Sequence, residues 1–285
     1  MLLRVQSITK NRLFIVFVFI FRPRFTGGFL LYAIPVFLFY LFCLSNVAFP
    51  EQVNEPRGYI GYCMGKNAFM NLDIQNLRKE YSAEVLELDQ VDPDPIRQFG
   101  AWFKEALDAQ LTEPNAMILA TVNAQGHPVA RVVLLKGFDE TGFVFYTNYN
   151  SQKGQELTHT PYAALVFNWL ELQRQVRIEG SVVKVSPEES TAYFQSRPKG
   201  SQIGAWASPQ SQIIADRTIL EKNVRDLEDK YAEREKLPRP AHWGGYLVRP
   251  NRLEFWQGRP SRLHDRIRYT WSRESENWQR ERLAP

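Results

Sequence analysis

AMILATVN (116–123), PVARVVLLKGF (128–138), GFVFYTN (142–148), YAALVFNW (162–169) and RQVRIEGSVVKVS (174–186) decide the fold. Each is a short run rich in β-branched and aromatic residues, and Gln125-Gly126 and Glu140-Thr141-Gly142 supply turns between the early ones. Five strands at this spacing predict an antiparallel barrel. Upstream the apolar period changes. In DPDPIRQFGAWFKEAL (92–107), Pro95 opens a helix carrying Ile96, Phe99, Trp102, Phe103 and Leu107 at core-facing spacing, and the stretch around Leu77 to Leu88 also reads helical. Downstream, Ser186 and Pro187 predict the start of a short helix through PEESTAYFQSR (187–197). A longer helix is expected from about Ser211 to Lys236, its stripe of Ile213, Leu220 and Leu227 turned to its own barrel. WGGYLVRP (243–250), NRLEFWQG (251–258), HDRIRYTW (264–271) and NWQRERL (277–283) read as closing strands, so the expected class is α+β, mainly β.

The chain has 285 residues and a formal charge of +4, enough length to bury a core without disulfides or structural metal. Residues 1–50 hold five basic side chains (Arg4, Lys10, Arg12, Arg22, Arg24) and no acidic one, which leaves 30 Lys and Arg against 31 Asp and Glu in the remainder. That balance argues against nucleic-acid binding by bulk charge and leaves room for a local basic pocket that suits a small anion. Residues 26–50 form an uncharged apolar stretch long enough to span a bilayer. We expect a division into a hydrophobic extension, 1–65, and a catalytic domain, 66–285. The extension reads either as a signal anchor through 26–50 or as sequence upstream of a start at Met64 or Met70. The second reading is favoured, with a cytoplasmic location, because the rest carries no N-x-[ST] sequon.

Cys43 and Cys63 both precede the domain, so residues 64–285 offer no thiol nucleophile and no thiolate metal site. His127, His159, His242 and His264 show no metal-binding spacing, and GxGxxG, GxxxxGK[ST] and GxSxG are all absent. No metal is expected, and redox chemistry would have to come from a bound cofactor.

The functional clue is the recurrence of basic and amide side chains within apolar strands, where a lone charge is costly unless something neutralises it. In RVVLLK (131–136), Arg131 and Lys136 would face opposite ways by regular alternation, so sharing one ligand requires a bulge or a strand end at Lys136. In RQVRIEG (174–180), Gln175, Arg177 and Glu179 share a face that suits either a cleft or plain solvent. In RLHDRIRY (262–269), strand alternation would align Arg262, His264, Arg266 and Arg268, a strip that suits a phosphate ester. SRPKGSQIGAW (196–206) reads as a loop offering Arg197 and Lys199 to a phosphate, and Tyr146 and Trp256 are candidates to flank a flat ring.

RVVLLK, VFYTN, LQRQV, YFQSRPKGSQIGAWAS followed by PQS, FWQG, RLHDR and the terminal RLAP occur in an order that resembles the pyridoxine/pyridoxamine 5'-phosphate oxidase family, from about Leu77 to Pro285. The resemblance implies an FMN-binding split β-barrel, an antiparallel Greek-key barrel with flanking helices. It also implies a homodimer with FMN at the subunit interface, and FMN-dependent oxidation of pyridoxamine and pyridoxine 5'-phosphates to pyridoxal 5'-phosphate with oxygen as acceptor, releasing hydrogen peroxide. By the same resemblance, FMN is held by Arg131, Val132, Val133, Leu134, Leu135, Lys136, Tyr146, Thr147, Gln152, Lys153, Gln175, Gln210, Ser211, Trp256 and Arg266. Substrate falls to Lys136, Tyr193, Arg197, Ser201, Arg262, Leu263 and His264, with Arg78, Lys79, Glu80 and Tyr81 as a cover; Arg262 and His264 are the catalytic pair. One departure is Gln152, where the family commonly has arginine between Ser151 and Lys153, so weaker FMN binding is expected. A flavin reductase on the same barrel, or a flavin or pyridoxal-phosphate carrier, are the rival readings. The reductase would not need Tyr193, Arg197 and Ser201 together or the RLHDR strip, and Arg262 and His264 beside complete flavin segments disfavour the carrier.

Overall fold

The computed structural model describes residues 2–9, 12–19, 80–81 and 84–285. By contacts the chain divides into one unit of residues 1–71 and a second of residues 72–285. In the first, strands β1 (Leu2–Thr9) and β2 (Arg12–Phe19) pair antiparallel. The apolar stretch 26–50 lies outside the described residues, and no described helix is long and apolar enough to cross a membrane.

In the second unit, helix α1 (Pro95–Asp108) starts where expected, because the Asp94 side chain accepts from the Ile96 amide at 2.7 Å and Pro95 supplies a preset first turn. It buries Phe99 among Phe138, Phe143 and Phe167, each with ring centroids 4.9 Å away. The stretch before it departs from the helical expectation: residues 84–92 run as coil and turn. Their backbone groups are taken by side chains of the C-terminal strands instead. Leu86 N donates to Asp265, Arg282 donates to Leu86 O, Arg280 donates to Val91 O, and Tyr269 donates to Asp92 O.

The five expected strands form as β3 (Ala116–Val122), β4 (Pro128–Leu134), β6 (Gly142–Asn148), β7 (Tyr162–Trp169) and β8 (Arg174–Lys184), with a short β5 (Gly137–Asp139) beside β6. Helix α2 (Gln152–His159) joins β6 to β7. Helices α3 (Pro187–Ser196), α4 (Lys199–Ala207) and α5 (Thr218–Lys230) then precede β9 (Trp243–Gln257), β10 (Asp265–Ser272) and β11 (Asn277–Leu283). The strands make one nine-stranded antiparallel sheet ordered β11-β10-β9-β8-β7-β3-β4, with β6 on the free half-edge of β9.

WGGYLVRP and NRLEFWQG are thus one 15-residue strand. Across from it, β8 shifts register between Glu179 and Gly180, so Asn251 has no opposite residue. This bulge changes which parity of β9 faces the core: Tyr246 and Val248 are buried before it, Leu253 and Phe255 after it. Gly180 is obligatory there, since a Cβ would lie 2.0 Å from Arg249 O.

Two expectations are corrected here, a loop and the extent of a helix. The segment 199–206 is helix α4, and Lys199 donates to Ala232 O at 2.9 Å. Helix α5 is shorter than the Ser211–Lys236 expected, because Asp216 takes the Thr218 amide and Ser211 sits at φ 71. Its Val224 and Leu227 pack against Phe194, Ile203, Tyr231, Leu237 and Trp243 rather than against the main barrel core.

Candidate functional site

A cavity of 650 Å³ opens between β4, β6, α3 and α4. Strand β4 stops at Leu134, and Lys136 N donates to Val144 O at 2.8 Å, so the chain turns at Lys136. That strand end brings Arg131 and Lys136 to one wall, together with Val132, Val133 and Leu134. Strand β6 contributes Tyr146 and Thr147, α2 contributes Lys153, and α3, Arg197 after its end and α4 contribute Tyr193, Arg197 and Ser201. Gln210 closes the rim, its side chain 3.2 Å from Thr147 Oγ1.

Four cations therefore converge here. Among the described residues, Arg131 alone of the four is paired with a carboxylate: Nη2 meets Glu156 Oε2 at 2.7 Å, and Nη1 binds Thr121. The Glu156 side chain is 4% exposed. Burial would raise its pKa, but hydrogen bonds from Thr121, Arg131 and Gln152 and the Arg131 charge outweigh that and hold it below the ordinary carboxylate value. Lys153 is drawn below the ordinary lysine value by burial and then by Arg131, with Glu156 opposing. Arg197 lies over Trp243, 4.7 Å from the ring centroid, and its Nη1 is buried without a hydrogen-bond partner among the described residues. Burial lowers its pKa as well. An orphaned buried donor beside Lys136 and Lys153 is a site prepared for an anion.

The aromatic wall is a stack. Tyr146 and Tyr193 have centroids 3.9 Å apart at 22°, and Trp243 lies 5.5 Å from Tyr146 at 12°. Gly245 makes this possible, since a Cβ there would meet the Tyr146 ring at 2.8 Å. Tyr146 Oη donates to Glu189 at 3.2 Å.

A second group lies at the other end of β9. Gln175, Trp256 and Arg266 sit side by side on β8, β9 and β10, on the face opposite buried Val176, Phe255 and Ile267. His264 packs on Trp256 at 4.6 Å, and Tyr81 closes over both, 5.8 Å from Trp256 and 5.6 Å from His264. Gly258 admits the Tyr81 ring, which a Cβ would approach to 3.0 Å. The Arg259 amide donates to His264 Nδ1 at 3.1 Å, which leaves the ring proton on Nε2. Burial, then the nearby Arg262, lowers the His264 pKa.

Among the described residues no hydrogen bond or ring contact joins this group to the cavity, so Tyr146 and Trp256 do not flank one ring within a single chain. The expected strip is also corrected. Arg262 stands at φ 62 in a turn before β10, with Leu263 exposed beside it, so only Arg266 and Arg268 share strand alternation. Leu135 is buried, Ser211 is exposed, and Gln152 is turned from the cavity to Glu156 Oε1 at 2.9 Å. Glu80 is exposed; Arg78 and Lys79 lie outside the described residues. Sequence reasoning missed Trp243, Glu156 and Glu254. Gly244-Gly245 beside Trp243 signalled a close approach, and Glu156 stands one helical turn after Gln152.

Residues 103–231 match the family model described as pyridoxamine 5'-phosphate oxidase, and 243–285 match the pyridoxine 5'-phosphate oxidase C-terminal dimerisation region. The pyridoxine/pyridoxamine 5'-phosphate oxidase of Paraburkholderia phymatum is 59% identical over 212 residues, covering 74% of this chain and 99% of that one. Its namesake from a Cyanothece species is 56% identical over 216 residues, covering 76% and 100%. Among solved structures, PhzG of Burkholderia lata in complex with tetrahydrophenazine-1-carboxylic acid has a TM-score of 0.66 at 32% identity, covering 72% of this chain and 100% of that one. A pyridoxamine 5'-phosphate oxidase-related, FMN binding protein of Nostoc punctiforme shares the fold with a TM-score of 0.53 at 20% identity, covering 67% and 98%.

Proposed function

From the premise that the chain belongs to the pyridoxine/pyridoxamine 5'-phosphate oxidase family, an oxidoreductase family, we propose that it oxidises pyridoxamine and pyridoxine 5'-phosphates to pyridoxal 5'-phosphate with FMN as cofactor and oxygen as acceptor. The observation that carries the reading is the cavity lined by Lys136, Tyr193, Arg197 and Ser201 together with Arg131 and Lys153. Its donor set fits two phosphate groups, and the orphaned Arg197 Nη1 supports that fit. The chemistry that FMN would supply is a two-electron acceptor for the hydride on the carbon bearing the amine or alcohol, with oxygen reduced to hydrogen peroxide; with the amine substrate, water hydrolyses the resulting imine to the aldehyde and ammonia.

The chain's own work is then binding and orientation. Lys136, Tyr193, Arg197 and Ser201 would grip the substrate phosphate away from the reacting carbon, so that anchoring energy lowers the entropic part of the barrier. Arg131, Thr147, Lys153 and Gln210 would hold FMN from one protomer. Gln175, Trp256 and Arg266 would meet it from a second copy of the chain, a reading supported by the match of 243–285 to a dimerisation region. Arg262 and His264, under the Tyr81 cover, would orient the polar substituents of the pyridine ring and shield it from water. The test is to mix purified protein, FMN and pyridoxamine 5'-phosphate in air. Aldehyde absorbance and peroxide are expected in equal amounts, and FMN binding without either product would favour a carrier.

A further inference from the structure

Glu254 stands on the outer face of β9, two residues before Trp256, and its side chain is only 9% exposed. A carboxylate buried on a sheet face is costly unless it is well paired. Its oxygens are divided: Oε1 accepts the Nε–H of Arg266 at 2.8 Å, and Oε2 faces Arg177 Nη1 at the looser distance of 3.5 Å. Arg266 is held from a second side as well, since its Nη1 donates to Ala284 O at 2.9 Å. Its Nη2 alone has no bond among the described residues. The Glu254 bond raises the Arg266 pKa further, against burial.

We propose that Glu254 is a positioning residue for cofactor binding. It fixes the Arg266 guanidinium before binding, so that the uncommitted Nη2 stands beside Trp256 and Gln175 as a ready donor to an acceptor atom of the flavin. Bracing a long side chain in advance removes an ordering cost that binding would otherwise bear. The pair Arg131–Glu156 shows the same construction in the cavity, a cation held by a buried glutamate. The inference rests on the FMN reading above.

The test is a double-mutant cycle on FMN affinity, followed by flavin fluorescence in apo-protein without turnover. Glu254→Gln keeps the shape and loses the charge, and is expected to weaken FMN binding about tenfold. In an Arg266→Ala background the same change is expected to cost less than about twofold, because its effect passes through the arginine. An unchanged dissociation constant for Glu254→Gln, or an equal loss in both backgrounds, overturns the proposal. Should Glu254→Gln fail to fold, Glu254→Asp takes its place in the cycle with the same criterion. A wild-type protein that binds no FMN sinks the functional reading instead, before any variant is compared.

Discussion

The cavity and the β8–β10 face carry comparable side chains in unlike settings. In the cavity, Arg131, Lys136, Lys153 and Arg197 line a concavity closed by a stack of three aromatic rings. On the face, Gln175, Trp256 and Arg266 lie flat in three adjacent strands, with Tyr81 and His264 packed on Trp256 among the described residues. The cavity is suited to gripping a compact multiply charged group, and the face is suited to receiving a plane. Charge and donors dominate the first, stacking and one braced arginine the second, so substitutions in the two regions differ in kind as well as in size.

The largest expected effect belongs to the cavity. Arg197→Ala removes a buried charged donor and should raise the Michaelis constant for pyridoxamine 5'-phosphate about 100-fold with turnover little changed. Arg262→Ala, in the other region, should lower turnover too. Steady-state kinetics in which the two variants exchange these patterns would break the assignment. Glu156→Gln should weaken FMN binding about tenfold by loosening Arg131. It carries a pH signature as well. The Glu156 carboxyl is depressed in the folded protein, so its stabilising contribution is present above the ordinary carboxylate value near ~4.3 and is lost as pH falls through the lower folded value. Melting temperatures should therefore fall more steeply with acid in the wild type than in Glu156→Gln.

Much of this contrast was legible before any coordinates. The strands follow from β-branched and aromatic runs, and the helix starts at Pro95 and Ser186 follow from residue type. The convergence of Arg131 with Lys136 was legible only as a condition, because it depends on where β4 ends, and that is set by pairing to β6. The misreadings share a cause. The stretch around Leu77 to Leu88 reads as helix, but Asp265, Arg280, Arg282 and Tyr269, nearly 180 residues or more away in sequence, claim the backbone groups of Leu86, Val91 and Asp92. Arg262 and His264 lie in a run with strand alternation that is broken by left-handed backbone at Ser261 and Arg262. Glu156 and Glu254 escaped notice because an acidic residue near a basic one reads as solvated pairing until its burial is known.

Two smaller effects sharpen the comparison. His264 is kept neutral by burial and by Arg262, so kcat/KM should stay level from pH 8 down to about 6.5, the ordinary histidine value, and fall about fivefold only in more acid solution. His264→Asn should abolish that acid limb in a pH–rate profile. Gln152→Arg adds a charge beside Glu156 and Lys153, and FMN binding should tighten about threefold at low salt, with the gain fading as ionic strength rises. Equal dissociation constants at low salt would show that residue 152 has no part in cofactor affinity.

Asn251 gives the long strand an odd property. Because that one unpaired residue reverses which side chains point inward, Trp243 at one end and Trp256 at the other both escape the barrel interior although thirteen positions separate them. Strand β9 therefore works as a phase-corrected spacer. Deleting Asn251 would rotate one tryptophan inward while leaving the other outside, whereas replacing it by another polar residue would disturb neither. Lineages carrying this fold should accordingly change the identity of residues between the two tryptophans more readily than their number.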